Sequence, residues 1–487
     1  MIFLKLGELL AKGLIKNGNF PYDAEVLSAV SDSRKVTPGA LFIAMQGEKQ
    51  DGRAHIKEAL DRGAAFVICE GDDQIISDDR ILLCDNVRRT DAHIQASLHG
   101  DAQDKLTIVA VTGTNGKTTT AQMIHDILQA SGIKTGLIGT VRCDLGSRIV
   151  DSDMTTPDTE RLYSYLDEMQ KSGCTHCVME ASSHALAYEK LSPMKIKVGV
   201  FLNLSREHLD YHKTMEAYAQ AKAKLFSLCG NAIVNADDAY RSYMTGRAEK
   251  DFFFSLCDKS ADFPAMNTIS YGLEGSGFYL HERYFHISLA GEYFISDALA
   301  AIGACSLLGI DEEKCAHALS QFRSVAGRME KVDLASSDFS IFIDFAHTPE
   351  SLRRTLLTAR SADHTRLCVV FGCGGERDRG KRALMGEVAA AIADRVIITS
   401  DNPRGEDPMD IINEVASGTN GKAAIIEDRE SAIDYAVQTA IAGEIILIAG
   451  KGHEEYMIRN GIKTHFSDME CAKKAYEKHW GEEKRTL

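Results

Sequence analysis

Two rhythms of apolar and polar residues alternate along this chain. Unbroken, β-branched apolar runs at 107–111, 175–179, 197–202 and 232–235 have the pattern of parallel strands buried on both faces. Between them apolar positions recur at helical spacing, as from Lys117 to Ala130, so a mostly parallel sheet with crossover helices is expected. The rhythm returns beyond residue 330, with strands expected at 341–345, 367–371, 395–399 and 445–449. Before residue 100 a smaller unit carries strand candidates at 64–70 and 81–85. They follow a polar, glycine-punctuated stretch at 31–52 that reads as a surface loop and strand. Residues 250–290 change texture: glycine turns and alternation such as F-Y-L-H-E-R-Y-F-H-I-S-L predict an antiparallel insertion.

These patterns divide the 487 residues into three α/β units, with boundaries in the polar stretch 99–105 and near G-R-M-E at 327–330. The domains expected are 1–102, 103–330 and 331–487. Composition adds little: 44% hydrophobic and 26% charged residues describe an ordinary water-soluble chain, and no apolar run approaches the roughly 18 residues that a membrane span needs. The first sixteen residues carry charges through their apolar part, which fits an amphipathic surface helix better than a signal peptide, so a cytoplasmic protein is expected. Net charge of −15 disfavours nucleic acid as a partner. Of the twelve cysteines only Cys174 and Cys177 form C-x-x-C; without a second pair at zinc-like spacing they read as reduced thiols on or beside a strand.

The candidate chemistry begins at L-T-I-V-A-V-T-G-T-N-G-K-T-T-T, residues 106–120. A buried strand runs into a glycine-rich turn and then a helix, which is where backbone N–H groups and the helix dipole hold an anion. Gly113 and Gly116 allow close approach to phosphate, Lys117 supplies a charge for the outer phosphates, and the Thr118 hydroxyl suits magnesium. The turn is two residues shorter between its glycines than the strict Walker spacing. Thr119 and Thr120 extend the pattern. Glu180, in M-E-A-S-S-H-A-L, and His208, in N-L-S-R-E-H-L-D-Y-H, follow two further strands, so three strand ends converge on one phosphate loop. His184 and His212 read as supporting groups. In the last unit four charged loops follow four strands, at 344–352, 371–382, 400–408 and 449–454, and form one rim of that sheet.

Together T-G-T-N-G-K-T-T, M-E-A-S-S-H-A-L, N-L-S-R-E-H-L-D-Y-H, Y-A-Q-A-K-A-K-L-F, G-R-M-E, D-F-A-H-T-P, F-G-C-G-G-E-R-D and D-N-P-R-G-E resemble the Mur ligase family over nearly the whole chain. The resemblance implies a small N-terminal α/β domain, a central P-loop mononucleotide-binding domain and a C-terminal Rossmann-like domain. It also implies an ATP-dependent ligase that adds the third stem-peptide residue to UDP-N-acetylmuramoyl-L-alanyl-D-glutamate through an acyl phosphate, with ATP and Mg2+ required and a monomer expected.

Carried over residue by residue, the resemblance implies that Gly113, Thr114, Asn115, Gly116, Lys117, Thr118 and Thr119 hold ATP, joined by Arg328 and Asp344. Thr118 and Glu180 would hold one magnesium ion, and Glu180 or His208 would help hold a second. Lys222, by composition a solvated helix lysine, would be carbamylated and serve the metal site, with Lys224 facing elsewhere. The catalytic set is Lys117, Glu180, His208 and Lys222. Ser31, Ser33 and the turn Glu48, Lys49 and Gln50 would meet the uridine diphosphate; Thr155, Thr156, Ser182 and Lys190 would meet the muramoyl dipeptide. Lys190 stands where the family usually has arginine and loses the bidentate fork. Arg377, Asp401, Asn402, Pro403, Arg404, Gly450 and Glu454 would form the amino-acid pocket. In it the Arg404 guanidinium suits the distal carboxylate of meso-2,6-diaminopimelate and Glu454 its distal ammonium.

Phe294 and Asp297 replace asparagines, and Ala326 replaces proline, on the nucleotide side. L-lysine is the alternative amine, folylpolyglutamate synthase the alternative ligase, and a non-catalytic nucleotide switch the alternative class. The third domain is expected to close onto the second when ligands bind, to shield an acyl phosphate from water.

Overall fold

The computed structural model describes residues 3–16, 20–47, 51–71, 78–335 and 337–481. Glu48, Lys49 and Gln50 lie outside the described residues. No described helix is long and apolar enough to cross a membrane.

The central sheet has nine strands in the order Ile149–Asp151, Arg142–Asp144, Thr135–Ile138, His176–Glu180, Thr107–Thr112, Ile196–Phe201, Cys229–Asn235, Lys250–Ser255, Phe263–Pro264. From Thr135–Ile138 onward every neighbouring pair is parallel, and the first two strands form an antiparallel edge. Val109, Ala110, Val111, Val178 and Val200 are fully buried, as expected of strands covered by helices on both faces. Register matters for the site. Glu180 pairs with Val111 and Phe201 with Thr112, so three adjacent strands end level and their loops leave the same edge.

The last unit repeats this design in six strands, ordered Glu330–Lys331, Ser340–Asp344, Glu444–Ala449, Arg366–Phe371, Arg395–Ile398, Ala423–Ile425, all parallel except the first. Asp344 and Phe371 both align with Ala449, which brings three of the charged loops together. The N-terminal unit is a four-stranded parallel sheet of Ala29–Val30, Leu41–Ala44, Phe66–Glu70 and Ile81–Cys84.

Two expectations need correction. Residues 250–255 are a parallel strand of the main sheet, drawn in because Phe254 is buried beside Cys229–Asn235; only Met266–Ser270, Ser276–Leu280 and Arg283–Ile287 are antiparallel. There Phe278 and Phe285 face each other across the ladder, ring centroids 5.3 Å apart, and form the buried side. The N-terminal stretch is not one surface helix. Leu4–Lys5 pairs with Glu25–Val26, and a short helix, Leu6–Ala11, buries Leu6 and Leu9. All twelve cysteines are free thiols; Cys177 is buried in the strand His176–Glu180 and Cys174 is buried just before it.

Candidate active site

The phosphate loop is held by the neighbouring strand's loop. Thr114 N–H donates to Asn203 O at 2.9 Å, Asn115 N–H to Asn203 Oδ1 at 2.9 Å, and Ser205 N–H to Thr114 Oγ1 at 3.0 Å. Gly116 has φ of +85°, and a Cβ there would lie 2.3 Å from Asp297 Oδ1, so both backbone shape and crowding require glycine. Lys117 Nζ donates to Gly113 O and Thr114 O at 2.9 and 2.8 Å. Lys222 Nζ, 1% exposed at the end of the helix Met215–Ala223, reaches the same Gly113 O at 2.8 Å and lies over the Tyr218 ring. Burial and then the Lys117 charge push the Lys222 ammonium well down; burial likewise lowers Lys117, against the pull of Glu180 and Glu207. Lys224 turns away to Glu189, at 3.1 Å.

Glu180 is fully buried and accepts from Thr118 Oγ1 at 3.1 Å and from Thr140 N–H at 2.7 Å. The Thr140 hydroxyl lies 2.9 Å from Glu180 Oε2 and 3.0 Å from Thr155 Oγ1. Thr156 Oγ1 donates to Glu180 O and accepts from Ser182 N–H, so the expected dipeptide residues are built onto the strand end that carries Glu180. Ser182 also caps the helix Ser183–Ala187. Lys190 Nζ is engaged with Pro157 O at 2.8 Å.

The third strand end carries His208, at φ +55°, with Glu207 beside it. His208 stacks edge-on to His184 at 4.9 Å, and His212 stacks on Tyr218 and meets Ser183 Oγ. Burial pushes His208 and His212 down to about 4. Glu207 reaches into the last unit, where its Oε1 lies 2.8 Å from His347 Nε2.

A cavity of about 690 Å3 opens between the second and third units beside the phosphate loop. Gly116, Thr118, Thr119, Asp297, Arg328 and Asp344 line it. Arg328 Nη2 donates to Thr118 Oγ1 at 3.3 Å and its guanidinium lies over the Phe345 ring. Asp344 accepts from the Met329 and Ala346 N–H groups, which fixes the strand end despite burial that raises its carboxyl. Burial pushes Asp297 up to about 8, against Arg354, Thr120 and Arg328.

The amino-acid loops form a second cluster. Asp401 is buried, and its carboxyl is held below its usual range: burial opposes this, and the Lys451 and Arg429 charges outweigh it. Asn402 Nδ2 donates to Glu454 Oε2 at 2.7 Å, while Lys451 Nζ reaches Asn402 Oδ1 at 3.2 Å and Glu454 Oε2 at 3.1 Å. Arg404 sits at φ +53° with Nη1 on Gly375 O at 2.7 Å. Pro403 is buried between them, and Gly450, at φ +114°, lets Asp401 approach: a Cβ there would lie 3.0 Å from Asp401 Oδ2. Arg377 is exposed at the rim. Beneath, Arg429 forms a fully buried bidentate pair with Asp468, both bonds 2.7 Å, and also donates to Ala449 O, at the end of one strand, and to Ser400 O, two residues beyond another.

Thr118 and Glu180 are thus together, Lys117 and Lys222 share an acceptor, and the amino-acid set gathers in one cluster. Ser33 is buried with its hydroxyl donating to Glu58 Oε2, and Ser31 is exposed, both in the N-terminal unit. The residues that sequence reasoning missed are Thr140, Glu207, His347 and Lys451. Lys451 lay between two chosen residues and Glu207 beside one, but only the fold shows where their charges point.

Three stretches match models of known families: residues 29–99 the Mur ligase family catalytic domain, 111–305 the Mur ligase middle domain, and 327–452 the Mur ligase glutamate ligase domain. The UDP-N-acetylmuramoyl-L-alanyl-D-glutamate--2,6-diaminopimelate ligase of Chlorobaculum tepidum is 41% identical over 467 residues, 92% of either chain. A solved structure of a ligase with the same name superposes with a TM-score of 0.69 at 32% identity, covering 98% of this chain and 99% of that one. Folylpolyglutamate synthase of Mycobacterium tuberculosis, complexed with ADP, shares the fold with a TM-score of 0.60, at 16% identity over 74% of this chain and 91% of its own. With all three family segments in order, and a relative this similar along nine tenths of its length, the chain belongs to the Mur ligase family.

Proposed function

We propose that this protein joins meso-2,6-diaminopimelate to UDP-N-acetylmuramoyl-L-alanyl-D-glutamate by an amide bond, with ATP cleaved to ADP and phosphate, in the cytoplasmic assembly of peptidoglycan precursors. It acts as a monomer. The observation that carries this reading is the facing of two sites: the phosphate loop with Glu180 on one unit, the D-N-P-R loop on the other, joined through Glu207 and His347 at 2.8 Å.

The chemistry needs no protein nucleophile. The dipeptide's free carboxylate attacks the γ-phosphorus, the bond to ADP breaks, and an acyl phosphate forms; the amine nitrogen then attacks the acyl carbon, loses a proton and expels phosphate. Both steps gather negative charge, so the residues act by position and electrostatics. Lys117 leaves its loop carbonyls for the transferring phosphoryl oxygens, and Arg328 approaches from the third unit. Thr140, Thr155 and Thr156 set the carboxylate beside Glu180. Asp344 and the Asn115 to Thr119 backbone hold the nucleotide.

Thr118 Oγ1 and Glu180 Oε2, buried hard oxygens 3.1 Å apart, fit a magnesium ion that keeps other positions for water and phosphate. Among the described residues no group of three His, Cys, Asp or Glu side chains is placed to hold a metal. These two residues would hold it, His208 would help hold a second, and the ions would supply charge neutralisation on phosphate. Lys222 is carbamylated: its depressed ammonium favours the neutral amine that attacks carbon dioxide, forming an N–C bond as one C=O π bond opens to give the carboxylate oxygen, and releasing the nitrogen's proton. Glu454 is already engaged by Asn402 and Lys451, so it receives the distal ammonium as part of a network rather than alone.

Phosphate release with ATP and the muramoyl dipeptide, with diaminopimelate and L-lysine supplied separately, tests this. Release and an amide product with diaminopimelate are expected. Activity with lysine alone, or hydrolysis indifferent to any acceptor, overturns it.

A further inference from the structure

Arg206 and Glu207 are adjacent, opposite in charge, and both leave the second unit for the third. Glu207 Oε1 lies 2.8 Å from His347 Nε2, in the loop after Ser340–Asp344; Arg206 Nε lies 3.4 Å from Asp378 Oδ2, in the loop after Arg366–Phe371. The His347 ring is held at both nitrogens, since its Nδ1 lies 2.7 Å from Phe345 O. A carbonyl and a carboxylate can only accept, so each ring nitrogen of His347 faces an acceptor and the ring is fixed in orientation. Gly380 makes room for the second contact: a Cβ there would lie 2.8 Å from Arg206 Nη2.

The two contacts also sit where the two half-reactions meet. Glu207 precedes His208 and faces the Lys117 charge on the phosphate side. His347 follows the strand Ser340–Asp344, whose end is level with Ala449 beside Gly450 of the amino-acid pocket, and Asp378 follows Arg377 on its rim.

We propose that Arg206 and Glu207, gripping Asp378 and His347, form a two-point clasp that sets the amino-acid pocket over the phosphate loop, so that these four are positioning residues for amide formation and not for carboxylate phosphorylation. Two points of opposite sign fix register as well as approach, because a shift of one loop sets like charges against each other. The proposal rests on the ligase reading above. Its half-reactions separate cleanly: acyl phosphate formation needs only ATP and the muramoyl substrate, whereas amide formation needs the pocket of the third unit in place.

The test compares muramoyl-dependent ADP–ATP exchange, which reports the first half-reaction, with amide formation in the full-length protein. His347→Gln is expected to lower the rate of amide formation about 10- to 100-fold while exchange stays within about threefold of the parent. Arg206→Asp and Asp378→Arg are each expected to slow amide formation, and the double variant to recover most of it. Exchange and amide formation falling together, an amide rate within threefold of the parent, or a double variant worse than either single overturns the clasp. A readout that needs no substrate accompanies these: Arg206→Ala combined with His347→Gln is expected to enlarge the radius of gyration in small-angle scattering. An unchanged profile overturns the clasp, whereas a parent without muramoyl-dependent exchange but with the expected expansion overturns the ligase reading, and the clasp's role in amide formation with it, and supports only the grip between the two units.

Discussion

The ammonium groups of Lys117 and Lys222 donate to one acceptor, the Gly113 carbonyl oxygen, from 2.9 and 2.8 Å. Two like charges at a single oxygen repel each other, and Lys222 is the more deeply buried. The carbamylation proposed for Lys222 would turn one cation into an anion and relieve the conflict. Lys222→Ala is therefore expected to lower turnover by about 10^2- to 10^3-fold, the loss typical of one preorganised electrostatic group. Removing bicarbonate and carbon dioxide should slow the parent and leave the variant unaffected. Steady-state rates in degassed buffer check this, and an equal response of both proteins refutes it.

Arg404 is anchored by one nitrogen on the Gly375 carbonyl, which orients the guanidinium. Arg404→Ala should raise KM for diaminopimelate by about 10- to 100-fold, as for one lost hydrogen bond to a charged group. Arg404→Lys should recover only part, because a point charge cannot match two carboxylate oxygens. Competition between diaminopimelate and lysine measures the loss of selectivity.

Asp297 places a carboxyl against the phosphate loop, and burial lifts it from 3.8 to about 8. Between those values the folded protein holds a proton that the unfolded chain releases, so stability falls as pH rises through that window. Asp297→Asn removes the titration. Its melting temperature should match the parent near pH 4 and exceed it by a few degrees near pH 8. ATP should also bind the variant more tightly at the higher pH, because a carboxylate beside phosphate repels it. Thermal scans and nucleotide titrations across pH decide both.

Arg429 and Asp468 are each fully buried, so removing one partner strands a charge. Asp468→Asn or Arg429→Met should destabilise the third unit by about 3 to 5 kcal/mol. Arg429 also holds the Ser400 and Ala449 carbonyls, so KM for the amine should rise before the protein unfolds. Chemical denaturation and kinetics on one sample show both effects.

Much of this was legible beforehand because it is local. Strand 107–111 appears as Thr107–Thr112 and strand 395–399 as Arg395–Ile398, since an unbroken β-branched run has few other places to go. Strand 250–255 was misassigned because its aromatic texture continues into a true antiparallel sheet, and only pairing with Cys229–Asn235 settles it. Thr118, Glu180 and His208 stand out in the sequence because they follow strands, whereas the burial of Lys222 depends on helix placement. Glu207 and His347 are 140 residues apart, and no local pattern announces a bond between two domains. Lys451 carries no motif of its own; only burial among Asp401, Asn402 and Glu454 marks it.

Arg404 holds a left-handed backbone, φ +53°, stitched by its N–H to Ile458 O and by Asn460 N–H to its own carbonyl. That geometry costs a non-glycine residue roughly 1 kcal/mol. Glycine at this position would make the scaffold sturdier and, under the function proposed above, the catalyst blind to its amine, so durability and discrimination pull in opposite directions at a single Cα. Selection for heat tolerance alone would drift toward the wrong answer here.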